Sequence, residues 1–258
     1  MSRLRAKCPD CRTLTAVAIG ADYECHSCGR EFGAGMIRVP RAWGTGGDGM
    51  AAAARLSLPY PEAAVVEEDS LRDQILSVAA DLPERPFVLG GCCCSHIGAI
   101  EGLSARHDDL GVVWLDAHGD LNTPATSPSG NQWGMPLRMA IDSGAVDAQR
   151  VALVGARNLD PPEETFIAGA GVRLGFEGVE LLLAETSIVY VALDADAVEP
   201  GQLVSWMPEP DGLALEEVEA LFVRLRVEAE IVGAGVSGLL PDESNVPKVA
   251  QLLSALGL

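Results

Sequence analysis

The sequence predicts an α/β fold in three layers, with helices on both faces of a mostly parallel sheet. Buried apolar runs such as 111–115 and 187–193 alternate with segments of helical period, which is typical of βαβ units. Both runs end in aspartates, and α/β sheets place their sites at the carboxyl ends of strands. Two Cys-x-x-Cys pairs precede the first run. We therefore predict a zinc-ribbon-like segment over residues 1–35 and a large α/β domain over residues 36–258.

Strands and helices alternate along the larger domain. Apolar runs predict strands at residues 36–39, 63–66, 86–91, 111–115, 150–154, 187–193 and 230–235. Helical spacing and capping residues predict helices near residues 70–81, 97–106, 134–143, 215–227 and 243–256, with a short helix after residue 160. Residues 51–62 have no clear pattern. Strand–helix–strand units of this kind join parallel strands in one sheet.

Composition and charge exclude several classes of protein. The chain has 258 residues and is 48% hydrophobic, enough for the core of one large domain. A formal net charge of −19 repels nucleic acid and anionic membranes, so we predict neither as a partner. No apolar run has the length of a membrane span. Because no apolar segment of a secretory signal follows the basic stretch 1–7, we predict a cytoplasmic protein.

Four cysteines near the start form a strong metal-binding motif. Cys8 and Cys11 make one Cys-x-x-Cys pair and Cys25 and Cys28 make another, with thirteen residues between the pairs. Two such pairs can supply four thiolates tetrahedrally to one Zn²⁺, so we predict a structural zinc site. A redox pair or disulfides are the alternatives. The segment is too short for a core of its own, and bound zinc would stabilise it.

The strand at 111–115 leads into potential metal ligands at every second position. Asp116, His118 and Asp120 lie on one face if the chain leaves the strand extended. A carboxylate–imidazole–carboxylate set suits a divalent ion such as Mn²⁺, Fe²⁺ or Zn²⁺. The simpler alternative is a strand followed by a solvated acidic turn.

A second strand end repeats this pattern. Asp194 and Asp196 follow the apolar strand at 187–193. Together with the first motif they make five ligands, which is more than one ion needs. Bridging carboxylates would let them hold two divalent ions that activate a shared water. The alternative for these two aspartates is a helix cap or a salt-bridged loop.

These two motifs resemble those of the arginase/agmatinase (ureohydrolase) family. The resemblance rests on Asp116-Ala-His118-x-Asp120 and the later Asp194-Ala-Asp196, and it covers roughly residues 36–258. It implies a three-layer α/β/α fold with a binuclear manganese centre. The ligands implied for one metal are Asp116, His118, Asp194 and Asp196. Those implied for the other metal are Asp116, Asp120, Asp194 and a histidine just after a Gly-Gly turn.

That last histidine is replaced in this chain. The family's Gly-Gly-Asp-His-Ser aligns with residues 90–94, which places Cys93 at the histidine position, and His96 lies three residues later. Either side chain could be the ligand. A thiolate would favour Zn²⁺ or Fe²⁺ over Mn²⁺. Alternatively the three cysteines pack as small buried side chains, and the second metal site is weak or empty.

The resemblance also implies residues that hold an amino-acid substrate. Asn122-Thr-Pro and Ser129-Gly-Asn131 match a pattern with which arginases hold the α-carboxylate and α-amino groups. Asp160 of Arg157-Asn-Leu-Asp-Pro matches an aspartate with the same role. This part of the predicted site is similar to arginase more than to agmatinase, whose substrate lacks the carboxylate.

Two other family positions differ. The family's catalytic histidine aligns with Trp133, whose indole can only donate a hydrogen bond and cannot shuttle a proton. The glutamate that binds the guanidinium aligns with Gly238, so a guanidinium would lose a charge-assisted bidentate partner. The predicted site keeps the residues for the amino-acid part of the substrate and loses those for the guanidine part.

These observations predict a metal-dependent hydrolase that acts on a small molecule. Metal-bound hydroxide would attack a C–N carbon of a guanidine, amidine or amide on an amino-acid-like substrate, and Asp120 would also orient the attacking water. We do not expect ordinary arginine hydrolysis. The alternatives are a catalytically inactive metal-binding scaffold, with the zinc ribbon as its docking element, and a metal-dependent amide deacylase. The resemblance also implies a homo-oligomer.

Overall fold

The computed structural model describes residues 8, 11, 13, 15–19, 22–32, 35–80 and 82–258. Two features of the sequence analysis lie outside these residues. They are the basic stretch 1–7 and Asp81, the predicted end of the helix at residues 70–81.

A small antiparallel sheet lies near the start of the chain. Its strands are β1 (Ala16–Ile19), β2 (Asp22–Cys25) and β3 (Glu31–Phe32), in that order. Among the residues described in this segment, the buried side chains are few: Cys8, Ala16 and Cys25, with Tyr23 packed against them. So small an apolar cluster contributes little hydrophobic stabilisation.

An eight-stranded sheet forms the centre of the larger domain. Its strands are β4 (Met36–Val39), β5 (Glu62–Val65), β6 (Phe87–Gly90), β7 (Gly111–Leu115), β8 (Val151–Val154), β9 (Arg173–Leu174), β10 (Ile188–Asp194) and β11 (Glu230–Ser237). The order is β5-β4-β6-β11-β10-β7-β8-β9, and every neighbouring pair is parallel. The predicted parallel sheet is confirmed.

Within the described residues, seven α-helices connect these strands and an eighth follows the last strand. They are α1 (Asp48–Ala53), α2 (Leu71–Ala80), α3 (Ser95–Ser104), α4 (Pro136–Asp142), α5 (Pro161–Ala170), α6 (Gly175–Leu183), α7 (Leu215–Glu228) and α8 (Asn245–Leu256). Among the residues that the structure describes, no helix is long and apolar enough to cross a membrane.

The core has two layers, one on each face of the sheet. Alternate residues of β7 show this: Val113 and Leu115 join the cluster formed with α6, α7 and α8, whereas Val112 and Trp114 join the cluster formed with α2 to α5. Buried strands with both faces covered read as continuous apolar runs, which explains the strength of the sequence signal here. The predicted three-layer α/β/α architecture is confirmed.

In the larger domain, two α-helices and one strand have no counterpart among the predicted elements. Both α1 and α6 contain glycines, at Gly49 and at Gly175 and Gly178, and glycine lowers helix propensity. The two-residue strand β9 is too short to have a period. The structure also ends β11 at Ser237, two residues beyond the predicted end. That extension matters because it brings Ser237 to the edge where β6, β7 and β10 also end.

Candidate metal centre

Four neighbouring strands end at one edge of the sheet and deliver polar side chains there. Cys93 follows β6, Asp116 follows β7, Asp194 is the last residue of β10, and Ser237 is the last of β11. Asp196 lies on a short 3-10 turn after β10. Because parallel strands present their carboxyl ends at the same edge, residues distant in sequence meet at this point.

One group of donors consists of Asp116, His118 and Asp196. Their ligand atoms lie within 4.8 Å of one another. His118 Nδ1 is 3.1 Å from Asp196 Oδ2 and 3.4 Å from Asp116 Oδ1. Backbone N–H groups orient the carboxylates: that of His118 donates to Asp116 Oδ1 at 2.8 Å, and that of Ala117 to Asp196 Oδ1 at 3.1 Å. An imidazole with two carboxylates is a donor set for a borderline divalent ion.

A second group consists of Cys93, Asp116 and Asp120. Cys93 Sγ lies 2.8 Å from Asp194 Oδ2 and 3.7 Å from Asp116 Oδ2, so Asp194 is adjacent to this group. Asp116 belongs to both groups. Its Oδ1 lies near His118 and its Oδ2 near Cys93, so its carboxylate can bridge two ions.

Burial dominates the electrostatics of these carboxylates. Burial and the charge of Asp196 raise the pKa of Asp194 to about 7. Burial and the charge of Asp116 raise the pKa of Asp196 to about 6, and burial with the charges of Asp116 and Asp194 raises the pKa of Asp120. Burial lowers the pKa of His118, but the adjacent Asp116 and Asp196 more than offset this and raise it to about 12. So much buried negative charge is stabilised by cations.

Asp120 gives a direct test of whether metal ions fit. Its Oδ2 is buried and has no hydrogen-bond partner among the described residues. Its backbone has φ = 53°, in the left-handed region that non-glycine residues seldom occupy. An unpartnered buried carboxylate oxygen is costly, and coordination to a divalent ion would satisfy it. The two donor groups therefore fit two divalent ions that share Asp116.

His96, the other candidate for the replaced histidine ligand, lies apart from both donor groups. Its Nδ1 is 3.0 Å from the Tyr190 hydroxyl and its Nε2 is 3.1 Å from Ser237 Oγ. Burial lowers the pKa of His96 to about 3, so the ring is neutral at physiological pH. Both ring nitrogens are thus already engaged, and the structure brings Cys93 rather than His96 into the group with Asp116 and Asp120.

Three of the four predicted substrate residues line a cavity over the metal-binding residues. Asn122 Nδ2 donates to Asp160 Oδ2 at 2.8 Å, so these two side chains form a pair in the cavity wall. Ser129 also lines the cavity. Asn131 does not: it lines a neighbouring surface depression, and its Oδ1 accepts a hydrogen bond from the Thr45 N–H at 3.0 Å.

The cavity has a volume of about 270 Å³, and its walls differ in chemistry. One wall is polar. The lining also includes four apolar side chains, which we call the apolar wall: Met50, Trp133, Trp206 and Met207. Within the described part of the chain, no Lys or Arg side chain lines the cavity. The carboxylates of its lining include Asp160 and the aspartates of the candidate metal centre, so the cavity is acidic.

Gly238 lies directly against Asp194. Its backbone has φ = +70°, and a Cβ built there would be 2.1 Å from Asp194 Oδ1 and 2.5 Å from Oδ2. No side chain fits at this position while Asp194 keeps its place. The cavity wall is therefore open where the family resemblance places a glutamate.

Two further carboxylates near the centre were not among the predicted site residues. Glu163 is buried and accepts hydrogen bonds from the N–H groups of Leu121 and Asp160, both at 2.9 Å. Its position three residues after Asp160 is a capping-box spacing, a signal present in the sequence. Glu209 Oε1 lies 3.7 Å from His118 Nε2 and accepts from Asn158 Nδ2 at 3.0 Å. No local sequence pattern marks Glu209 as a site residue, because it reaches His118 from a loop.

The four N-terminal cysteines form a separate cluster. Their ligand atoms lie within 4.8 Å of one another, with 3.6 Å between the sulfurs of Cys8 and Cys28 and 3.4 Å between those of Cys11 and Cys25. Both separations are far longer than the S–S bond of a disulfide, about 2.05 Å. They approach the roughly 3.8 Å between thiolates around a tetrahedral zinc ion.

Comparison with known proteins finds one family. The sequence model of the Arginase family matches residues 58–255. The arginase of Bacillus caldovelox is 32% identical over 199 residues, which are 65% of this chain and 66% of that protein. The arginase of Bacillus subtilis is 38% identical over 140 residues, 45% of this chain and 47% of that protein. The chain thus spans about half to two thirds of the length of these relatives.

Comparison of structures agrees. The crystal structure of arginase from Bacillus subtilis superposes with a TM-score of 0.74 and 24% sequence identity. The superposition covers 86% of this chain and 97% of that one. At this level of identity the likeness establishes the three-layer fold alone.

Proposed function

The chain belongs to the arginase family, and from this membership we propose that it is a metal-dependent hydrolase of a non-peptide C–N bond. The observation that carries the proposal is the pair of donor groups that share Asp116 on the floor of the cavity. A shared carboxylate is the feature that a binuclear hydrolytic centre needs. Its substrate is a small amino-acid-like molecule that bears a guanidine, amidine or amide.

Asp116, His118, Asp120, Asp194 and Asp196 hold two divalent ions in this proposal. Manganese is the metal that the family implies, and iron or zinc are the alternatives. Divalent ions held there would make a water molecule more acidic and polarise the bond to be cleaved. In this proposal the carboxylate of Asp120 also orients the attacking water.

The polar wall of the cavity binds the amino-acid end of the substrate. Asn122 and Asp160, joined by their 2.8 Å hydrogen bond, are held in fixed positions, and Ser129 lies beside them. Asp160 attracts an α-ammonium group, while Asn122 and Ser129 donate to an α-carboxylate. Asn131 supports this wall from behind through its bond to Thr45 instead of contacting the substrate.

The apolar wall selects against a guanidinium group. Gly238 supplies no carboxylate, and Trp133 supplies no titratable group at physiological pH. An amide, which carries no charge at physiological pH, fits it better than a guanidinium cation does. We therefore expect weak or absent turnover of arginine and agmatine.

A substrate panel tests this function. The full chain, stripped of metal and reloaded with Mn²⁺, Fe²⁺ or Zn²⁺, is assayed for urea from arginine and agmatine and for ammonia from amino acids with a terminal amidine or amide. We expect ammonia release from at least one amidine or amide and little urea. Robust arginine turnover would contradict the proposed selectivity. Full metal occupancy without any turnover would favour the inactive scaffold.

We also propose that residues 1–35 form a zinc ribbon, with the catalytic domain over residues 36–258. The support is the four-cysteine cluster and the very small apolar core beside it. Four thiolates around one Zn²⁺ would stabilise such a segment. Zinc analysis of Cys11→Ser, with Cys92→Ser as the control, tests the site. We expect Cys11→Ser alone to lose one zinc per chain, and equal zinc in both variants would contradict the ribbon.

The cytoplasmic location and the homo-oligomeric assembly remain predictions. The acidic composition and the family membership support them. Analytical ultracentrifugation of the metal-loaded chain would measure its oligomeric state.

A further inference from the structure

We propose that Cys93 binds the second metal through its thiolate and makes that half of the centre selective for zinc or ferrous iron over manganese. The inference rests on the binuclear centre of the proposed function and adds a ligand to it. Cys93 lies where the resemblance places a histidine, so it would replace a nitrogen donor by a sulfur donor in the family's ligand set.

The position of the sulfur carries the argument. Cys93 is 3% exposed, and its Sγ lies 2.8 Å from Asp194 Oδ2 and 3.7 Å from Asp116 Oδ2. Its ligand atom lies within 4.8 Å of those of Asp116 and Asp120. A small buried side chain chosen only for packing would not need to point its sulfur at three carboxylates.

The neighbouring cysteines provide an internal comparison. Cys92 Sγ accepts a hydrogen bond from the Trp43 N–H at 3.4 Å, and Cys94 Sγ donates to the Gln132 carbonyl at 3.4 Å. Both lie in the apolar cluster with Met50 and Ile97. Cys93 borders a different apolar cluster, but its sulfur contacts carboxylates. Of three consecutive cysteines, only Cys93 has its sulfur among the aspartates. The triple cysteine is therefore two packing residues and one ligand.

A buried chain of hydrogen bonds supports the sulfur from behind. Ser237 Oγ lies 3.1 Å from Cys93 Sγ and 3.1 Å from His96 Nε2, and His96 Nδ1 lies 3.0 Å from the Tyr190 hydroxyl. As a thiol, Cys93 donates to Asp194 Oδ2 at 2.8 Å. Once Cys93 is ionised, and with the His96 proton assigned to Nε2, Tyr190 donates to His96, His96 donates to Ser237, and Ser237 donates to the sulfur. A chain of donors that ends on sulfur stabilises a thiolate, as partners behind metal ligands commonly do.

Coordination changes the chemistry of the second metal position. On binding, the thiol releases its proton to solvent and the sulfur bonds to the metal. Thiolates favour zinc and iron, whereas manganese prefers oxygen and nitrogen donors. The two halves of the centre then differ: the half at His118 and Asp196 keeps hard donors, and the half at Cys93 and Asp120 becomes softer.

Cobalt substitution tests the proposal without an activity assay. Cobalt bound by sulfur has an intense near-ultraviolet charge-transfer band, which oxygen and nitrogen ligands do not produce. The N-terminal cysteines contribute to this band equally in every variant, so the difference spectrum isolates Cys93. We compare the full-length wild-type chain with Cys93→Ser and Cys93→His, and use Cys92→Ser as the matched control.

We expect Cys93→Ser and Cys93→His to lose the same part of the band, and Cys92→Ser to retain it. Cys93→His, which keeps a ligand, should also raise the affinity for Mn²⁺ relative to Zn²⁺ by about tenfold or more. Either Cys93→Ser or Cys93→His is enough to show the loss of the band, so the test still works if one of the two variants folds poorly. An unchanged band, with two cobalt ions still bound in the main centre, would overturn the proposal and leave the proposed function standing. Cobalt bound at the N-terminal cysteines alone would overturn both.

Discussion

The two halves of the candidate metal centre differ in how closely they keep the family pattern. The half at the ends of β7 and β10 has Asp116, His118 and Asp196, with backbone donors that orient both carboxylates. The half nearest β6 and β11 has Cys93 and Gly238 at positions where the resemblance places a histidine and a glutamate. In the function that we propose, the first half keeps the family's metal ligands, and the second half changes which metal and which substrate fit. The two halves can therefore be perturbed separately.

Substitution of the shared ligand, Asp116, should have the largest effect, because it changes both halves at once. Asp116→Asn takes a bridging charge from both donor groups. Loss of a hydrogen-bond partner of a metal ligand already lowers metal affinity or activity by roughly 10- to 100-fold. Because Asp116 is itself a ligand, we expect Asp116→Asn to lower activity and the affinity for both metals by more than about a hundredfold. Metal titration with the ammonia assay measures this.

The control is Glu164→Gln, an exposed acidic residue on α5 that leaves both donor groups intact. It should behave as wild type. If Asp116→Asn lost only one of the two metals, the shared carboxylate would not bridge them, and the description of two halves joined at Asp116 would be wrong.

Gly238→Ala should have the next largest effect, and it should be strongest in the altered half. The new Cβ would lie 2.1 Å from Asp194 Oδ1, so Asp194 must move. We expect metal affinity to fall by roughly 10- to 100-fold, as for a displaced partner of a ligand. The affinity should fall mainly for the metal beside Cys93.

Gly144→Ala is a matched control for Gly238→Ala. Gly144 also has a positive φ, +79°, but nothing lies within 4 Å of a Cβ built there. It therefore carries the same kind of backbone strain without the contact. Equal losses of metal affinity in the two variants would show that strain alone, and not the displacement of Asp194, is responsible.

The sequence predicted the fold and the first half of the centre better than the second. The aspartates and histidine at 116–120 and 194–196 follow apolar strands directly, so local spacing places them at a strand end. Parallel strands then bring the two motifs to one edge. Nothing beyond strand prediction is needed for that inference. The structure brings Asp116, His118 and Asp196 into one donor group and Asp120 into a second group with Asp116.

The remainder of the site depends on contacts between distant parts of the chain. No local pattern distinguishes Cys93 from Cys92 or Cys94, because the direction of each sulfur is fixed by the turn after β6. The approach of Gly238 to Asp194 joins residues 44 positions apart, one just after β11 and the other at the end of β10. Glu209 reaches His118 through a loop. Alignment with the family pointed to Cys93 and Gly238 but could not supply their geometry.

His96 gives a third, smaller test, on the support behind the altered half. The pKa of His96 is lowered to about 3 by burial, below its ordinary value of about 6.5. The unfolded chain therefore binds a proton between these values that the folded chain does not. Stability should fall as the pH falls through this window, by up to about 1.4 kcal/mol per pH unit.

His96→Gln should flatten that acid dependence, because glutamine does not titrate. Urea unfolding of the metal-free protein at several pH values from 6.5 to 4 measures the slope. His107→Gln, near the end of α3 and outside the centre, is the control. A slope that stays the same in His96→Gln would mean that His96 is not held neutral between Tyr190 and Ser237.

Trp133→His should have the smallest effect on arginine turnover. It restores the histidine that the family resemblance implies, but the position of Gly238 still lacks a carboxylate for the guanidinium. The Trp133 ring packs closely against Gly44, where an added Cβ would lie 2.3 Å from the ring. A smaller histidine would leave part of this space empty. We therefore expect no gain in urea release from arginine and a loss of about 1–2 kcal/mol of stability from the partly emptied site. Trp43→His, in the same apolar cluster, is the control for packing. A gain of arginine turnover in Trp133→His alone would show that one missing histidine, and not the open wall at Gly238, separates this chain from arginine hydrolysis.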